Sequence, residues 1–483
     1  MAQSSYKKNI LYNSIYRCVV ILTPLVTSPY LSRVLGVEKL GLYSAANAFA
    51  TYFVIFSLLG VNDYGNRTIA QVRGDRNKLS DEFWQIYYLQ FFLTLILLVV
   101  YLIWIQFRPG NISVRLILAI YVFSSFFEVN WFAFGMEEFR LTSIRSIITR
   151  LGIVACIFAF VKSSDDLWKY TLIITGGNLV SLLVILPLIF KYTDFRAPDV
   201  KKIISHIRPN LMLFLPVIAT SAYQQLSKLM LEAWSAEAEV GFYQYAENIV
   251  TLPTFVTTAI VTVMLPYASN LVARGEKDEN RTLFYTMLKY TSILNVAMTF
   301  GMLSIAGDFI PWYLGSGFER SALLTMIMSP MIFFSGFSGI VRYQYMIPNE
   351  YDRENLISLF AGAGADILLN ILLIPSFGAC GAAVSTAAAY AVTLLVQMIF
   401  LRKEINTIKI IRSFLPGVFF GCVMCACVFC ISQTAINIMG KVLLELVVGA
   451  LVFTGLTGLW LYKTDDGLFK NLLSKAKERL TGN

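Results

Sequence analysis

Charge is scarce in this sequence and histidine nearly absent: 14% of the 483 residues are Asp, Glu, Lys or Arg, and His206 is the single histidine. A soluble globular domain carries about a quarter of its residues as charges, so an ordinary soluble fold is excluded. One histidine leaves no histidine metal site and no Ser-His-Asp machinery. No Gly-x-x-x-x-Gly-Lys-[Ser/Thr] run is present, so the chain has no phosphate loop with which to drive itself by ATP. The seven cysteines are spread through apolar stretches and give no disulfide framework. Cys422, Cys425, Cys427 and Cys430 point in different directions around one helix and read as small packing residues rather than metal ligands. Asp165-Asp166 and Asp465-Asp466 stand beside helix starts and read as caps rather than as the metal-binding pairs of a glycosyltransferase. The expectation is a protein that is not an enzyme and holds no metal.

What is present is hydrophobic length. Hydrophobic residues make up 57% of the chain, gathered in runs of about twenty, which is what a helix needs to cross the hydrocarbon core. We read fourteen spans, near 10–36, 39–60, 83–107, 112–135, 142–161, 167–190, 209–233, 238–267, 283–306, 320–346, 356–374, 378–401, 413–432 and 439–462. An outer-membrane barrel is excluded, because its strands alternate apolar and polar residues whereas Phe91–Tyr101 is apolar nearly all round. The net charge of +9 points to membrane orientation rather than to nucleic acid. Twenty-six Lys and Arg, among them Lys7, Lys8, Arg73, Arg145, Lys201 and Lys202, fall in loops on one side of this layout and seven on the other. The positive-inside rule then places both termini in the cytoplasm. Residues 10–36 are too long for a signal-peptide core and carry Arg17, so they read as the first permanent span. Loops are short, which puts the function inside the membrane.

The two halves repeat one another. Gly41-Leu42-Tyr43 returns as Gly241-Phe242-Tyr243, Thr51 as Thr251, and Arg73-Gly74-Asp75 as Arg274-Gly275-Glu276. Six spans separate the matches, an even number, so the repeats run in the same direction through the membrane. The expected fold is all-α: two parallel, pseudo-symmetric six-helix lobes, 1–205 and 206–402, followed by a C-terminal helix pair and tail, 403–483. Two such lobes can rock about a central cavity, as many secondary transporters do.

Charged side chains inside spans tend to face a cavity or a partner. Ser221, Gln225, Lys228 and Glu232 form a one-faced stripe in the seventh span. Similar stripes hold Asn47, Glu247, Arg342 with Tyr345, Asp366 with Asn370, and Glu128 with Asn130. Arg17, Lys228 and Arg342, with Asn47, Gln225 and Tyr345, are candidates for binding an anionic head group in a cavity. The plainer reading is that Lys228 pairs with Glu232 one turn on. Glu128, Glu232, Glu247 and Asp366 are candidates for a coupling proton or sodium ion, or simply neutralise those cations; no other cofactor is expected. Arg33, Arg150 and Lys289 lie near span ends, where snorkelling accounts for them.

The stretch from Pro29 to Tyr43, PYLSRVLGVEKLGLY, resembles the opening motif of the bacterial polysaccharide-repeat transporters, a family of the superfamily that includes multidrug and toxin extruders. Leu59-Gly60 and the run Asn66–Arg73 continue the likeness, and the span layout extends it over nearly the whole chain. The resemblance implies a flippase in the bacterial inner membrane. It would move undecaprenyl-pyrophosphate-linked oligosaccharide units for O-antigen, capsule or exopolysaccharide from the inner to the outer leaflet. Its implied partners are that lipid-linked oligosaccharide and the bilayer, with polysaccharide polymerase and chain-length machinery as candidates and no nucleic acid. Fourteen spans also match the lipid II flippases of the superfamily, whose last helix pair helps form a groove for the lipid tail. A drug or cation extruder, a lipid II flippase and a membrane-embedded polymerase or glycosyltransferase are the competing readings.

Overall fold

The computed structural model describes residues 19–20, 22–107, 111–434, 437–464, 466–467, 469–470 and 474. Arg17, Asp465 and most of the basic, apolar segment after Lys470 lie outside them. The described residues contain helices and no strand. Residues 22–34 form α1. Thirteen helices long and apolar enough to cross a membrane follow: α2 (Gly36–Val72), α3 (Arg76–Gln106), α4 (Ile112–Gly135), α5 (Phe139–Phe160), α6 (Ser164–Tyr192), α7 (Val200–Trp234), α8 (Glu237–Ala273), α9 (Lys277–Leu314), α10 (Glu319–Met346), α11 (Asp352–Phe377), α12 (Ala379–Leu401), α13 (Thr407–Ser432) and α14 (Ile438–Lys463). The protein is a multi-pass α-helical membrane protein.

Several helices run past their apolar cores because polar caps start them early. Asp75 accepts from the N–H groups of Asn77 and Lys78 at 3.0 and 3.2 Å, which opens α3 seven residues before its apolar run. Asp199 does the same for Lys201 and Lys202 at 3.0 and 3.4 Å and opens α7. His206, placed in a loop by hydropathy, therefore lies in the second turn of α7. It is 7% exposed and its Nδ1 meets the Tyr64 hydroxyl at 2.9 Å. Asp166 closes a capping box with Ser163, the cap read from the sequence.

Five helices are interrupted, α6 among them, which breaks at Val184-Ile185. α2 breaks at Leu59-Gly60, where φ is 43° and 81°. α4 contains the 3₁₀ turn Ser125–Phe127, while α7 and α10 contain the π-helical turns Ala222–Leu226 and Val341–Met346. α4 and α10 are the fourth spans of the two repeats, so both repeats are irregular at the same station. Such turns re-aim side chains and free backbone groups, and they gather at functional sites.

The repeats meet where glycine permits it. A Cβ placed on Gly41 would stand 2.0 Å from the carbonyl oxygen of Glu237, and one on Gly241 would stand 2.2 Å from that of Val37. Ser44 Oγ donates to Gln244 Oε1 at 2.5 Å. Shifting Val37 and Gly41 by 200 positions gives Glu237 and Gly241, so the Gly41–Glu237 and Gly241–Val37 contacts exchange into one another, and Ser44–Gln244 joins equivalent positions directly, the reciprocity that a two-fold exchange of the repeats produces. Bare backbone at both positions lets α2 and α8 touch without an intervening side chain.

The contacts gather into two compact units. The first takes in the described residues up to Tyr245 together with Ala363–Ser385, and the second Ala246–Gly362 with the described residues from Thr386 onward. In the first, Phe83, Trp131, Phe132, Ile69 and Ile185 form a buried aromatic and aliphatic core. In the second, Phe284, Leu288, Phe337, Ile340 and Leu401 form one core, and Val296, Met424, Val428 and Phe453 a smaller one.

Candidate functional site

The first unit encloses a polar cavity of about 350 Å³. Tyr43 and Asn47 of α2, Tyr121, Glu128 and Asn130 of α4, Arg145, Thr149 and Arg150 of α5, and Thr175, Asn178 and Ser181 of α6 line it. The turn Ser125–Phe127 breaks α4 just before Glu128 and leaves that carboxyl to accept from the backbone N–H of Asn130 at 3.2 Å and from its amide at 2.6 Å. Arg145 is 8% exposed. Its guanidinium donates to the Ser181 carbonyl and to Asn130 Oδ1, both at 2.9 Å, and to Ser146 Oγ at 3.1 Å. Arg145 thus ties α4, α5 and α6 together beside an acid. Arg150, five residues on, lines the same cavity with no hydrogen bond or ion pair among the described residues. A fixed cation, a second unengaged one and a wall of hydroxyls and amides suit an anionic, hydroxyl-rich ligand.

Sequence reasoning missed both arginines. Arg145 was counted among loop cations and Arg150 assigned to snorkelling near a span end, although the span read at 142–161 contains both. With α5 beginning at Phe139 both lie well inside the helix, and Thr142, Arg145, Thr149 and Arg150 were the available signal.

A second polar cluster in this unit joins α7 to α11. Asp366 is 0% exposed. Its Oδ2 accepts from Asn370 Nδ2 at 2.9 Å and from Ser227 Oγ at 3.3 Å, and Asn370 also donates to that hydroxyl at 3.0 Å. Lys228 is buried beside Ser227, directly after the π turn that contains Gln225. The expected pairing of Lys228 with Glu232 is corrected: Glu232 pairs with Arg115 at 3.1 Å, because the helix end turns it toward the first turn of α4.

In the second unit the remaining candidates scatter. Arg342 lies in the π turn of α10 with its guanidinium 5.2 Å from the Tyr343 ring. The Tyr345 hydroxyl donates to Glu404 Oε2 at 3.1 Å, an acid that Arg281 also approaches at 3.8 Å. Glu247 is buried in α8. The second unit has its own cavity of about 260 Å³, between α9, α13 and α14. It is lined by Ala297, Met298, Met424, Val428, Gly449 and Phe453, with Glu445 among them.

An all-helical membrane protein built from two exchanged repeats, with interrupted helices around a polar cavity, belongs structurally with the MurJ and MATE transporters. The chain covers 94% of its length on "Lipid II flippase MurJ, inward closed conformation", and 99% of that chain, at 15% identity and a TM-score of 0.79. It covers 80% on an inward-facing multidrug resistance MATE family transporter, and 95% of that chain, at 14% identity and a TM-score of 0.62. These likenesses establish the fold. The family described as "Polysaccharide biosynthesis protein" matches residues 6–272, more than half of the chain, and the chain belongs to that family. A curated relative from Escherichia coli (strain K12), named "Putative O-antigen transporter", is 23% identical over 412 residues, 83% of this chain and 97% of the relative.

Proposed function

We propose that this protein is a flippase. It carries undecaprenyl-pyrophosphate-linked oligosaccharide repeat units from the inner to the outer leaflet of the bacterial cytoplasmic membrane by alternating access, with both termini in the cytoplasm. The observation that carries this reading is the polar cavity of the first unit, where Arg145 and Arg150 stand among Tyr43, Asn47, Tyr121 and Asn178. Guanidinium groups bind phosphate oxygens through paired N–H donors, and hydroxyl and amide side chains exchange hydrogen bonds with sugars. Family membership and the name of the E. coli relative support the same reading.

In this mechanism Arg150 meets the phosphates, since its guanidinium is unengaged among the described residues, while Arg145 keeps its local bonds and shapes the wall. The Asp366–Asn370–Ser227 cluster, beside Lys228, is the place for a coupling proton or sodium ion, because a buried carboxylate with an amide and a hydroxyl offers oxygen ligands. The apolar groove of the second unit takes the polyprenyl tail. The Gly41 and Gly241 crossing is where the two repeats rock, since backbone against backbone slides without repacking side chains. No bond is made or broken, so the protein acts as a carrier rather than an enzyme.

The test is lipid-linked oligosaccharide in cells lacking the gene, complemented with wild type or Arg150→Ala at equal expression. The deletion accumulates the inner-leaflet intermediate and wild type clears it. Arg150→Ala clears it about tenfold more slowly, the loss of a hydrogen bond to a charged group. A deletion that accumulates nothing sinks the flippase reading, and full export by Arg150→Ala removes Arg150 from the head-group site.

A further inference from the structure

Glu445 is a lone acid in the apolar run of α14, at 0% exposure, and it lines the groove between α9, α13 and α14. Neither of its oxygens meets a hydrogen-bond donor among the described residues. The same face of α14 brings in a second acid one turn earlier, Asp308 of α9, through Lys441. Asp308 is held in turn by Lys441, one helical turn before Glu445, whose Nζ lies 3.3 Å from Asp308 Oδ1 and 2.8 Å from the Ser432 carbonyl at the end of α13.

Neighbouring carboxyl groups can share a hydrogen only when one of them is protonated, and two like charges at the edge of an apolar groove repel with little solvent to screen them. With one proton on the pair, Lys441 balances the remaining negative charge and the cluster is neutral. Without it, a net negative charge faces Met424, Val428 and Phe453. The other groups packed around Glu445 do not relieve that charge. On α13 the near titratable side chain is Cys425, bonded through Sγ to the Phe300 carbonyl, and Lys409 and Arg412 sit in the first turns of that helix at its opposite end. On α9, Lys289 is engaged by Asp466 at the other end of the helix.

We propose that Asp308 and Glu445 share one exchangeable proton, and that the transport cycle takes it up and releases it. The inference rests on the flippase reading and deepens it by placing a proton site in the C-terminal helix pair. Asp308 is 26% exposed on its side chain and connects the enclosed Glu445 to the surface. Release carries the proton from the Glu445 carboxyl to Asp308 and on to water, and uptake is the reverse, so each passage moves one proton and leaves one more negative charge in the groove. That charge loosens α14 from α9 until the proton returns.

The experiment has two readouts on the full-length protein. Infrared spectra of the purified protein in lipid are recorded between about pH 5 and 9, the range in which buried carboxyls titrate. The carboxylic-acid band falls with rising pH in wild type and is missing from Glu445→Gln. In cells, Glu445→Gln at equal expression slows clearance of the lipid-linked intermediate about tenfold, as loss of a coupled step does. Asp308→Asn, nearer the surface, repeats both measurements if Glu445→Gln fails to fold. A wild-type spectrum with no titrating band overturns the proposal, whatever the cells show. A titrating band together with full export by Glu445→Gln also overturns it, since the proton then has no part in the cycle. The infrared result does not depend on the substrate, so it is separate from a failure of the flippase reading.

Discussion

The two cavities solve opposite problems. In the first unit, polar groups are buried together and satisfy one another: Arg145 holds Ser181, Asn130 and Ser146, and Asn130 holds Glu128. In the second unit, a groove of methyl, thioether and ring carbons contains one acid whose oxygens reach no donor. Buried polar groups cost little when paired and a great deal when not. The first arrangement is therefore a stable scaffold that presents one spare cation, while the second stores an imbalance that a proton corrects.

The largest expected effect breaks the first half of this comparison. Arg145→Ala leaves the Ser181 carbonyl and Asn130 Oδ1 without their donor inside the bundle, a loss of about 3 kcal/mol by the cost of breaking a buried charged network. The purified variant melts several degrees lower and export stops. Arg145→Lys keeps the charge without the fork and recovers part of the stability but not the three-way tie. An Arg145→Ala protein with wild-type melting temperature and full export would show that the polar wall is not a unit.

Much of this was legible beforehand, and the failures are specific. Thirteen of the fourteen spans have their helix among the described residues, and the first, 10–36, lies partly outside them; they could be read because hydrophobic length is a local property, and the repeat could be read because Gly41 and Gly241 have no substitute where two backbones touch. Span ends could not, because caps such as Asp75 and Asp199 extend helices into polar sequence, and that displacement hid His206. The polar stripes pointed to the right helices, yet side-chain partners depend on neighbours distant in sequence. Glu232 went to Arg115 and Tyr345 to Glu404. Asp465-Asp466 was read as a cap, and Asp466 does accept from the Phe469 N–H at 2.9 Å, but it also pairs with Lys289 at 2.5 Å. Glu445 needed no structure to be noticed: a single acid in an apolar span is a signal in itself.

The Lys289–Asp466 pair sharpens the comparison at a smaller scale. It clamps one end of α9 near the end of α14, while Asp308–Lys441 joins the same two helices at the other. Burial acts to raise the Asp466 pKa, but the Lys289 ammonium, the Tyr290 hydroxyl and the Phe469 N–H outweigh it and hold the carboxyl at about 2. A folded value below the unfolded one, about 3.9, contributes stability that is present above pH 4 and lost as pH falls toward 2. Asp466→Asn therefore lowers the melting temperature by about 1–2 °C, by the same amount at pH 5 and pH 8. Any export that varies across that window cannot come from this clamp, whereas the Asp308–Glu445 pair predicts such variation. A melting difference that changes between those two pH values would contradict the assignment.

The smallest effect probes the groove wall itself. A Cβ on Gly449 would meet Val428 at 3.4 Å and Met424 at 3.6 Å, ordinary contact distances, while one on Gly421 would meet the Phe300 ring at 2.6 Å. Gly449→Ala consequently stabilises α14 by about 0.5 kcal/mol through reduced backbone freedom. Gly421→Ala forces Phe300 to move and lowers the melting temperature instead. The informative measurement is export by Gly449→Ala. Full export with a slightly raised melting temperature means that one added methyl leaves room for a flexible hydrocarbon chain. Lost export at unchanged stability means that the groove grips its occupant as closely as the polar cavity does, and the division of labour between the two cavities fails.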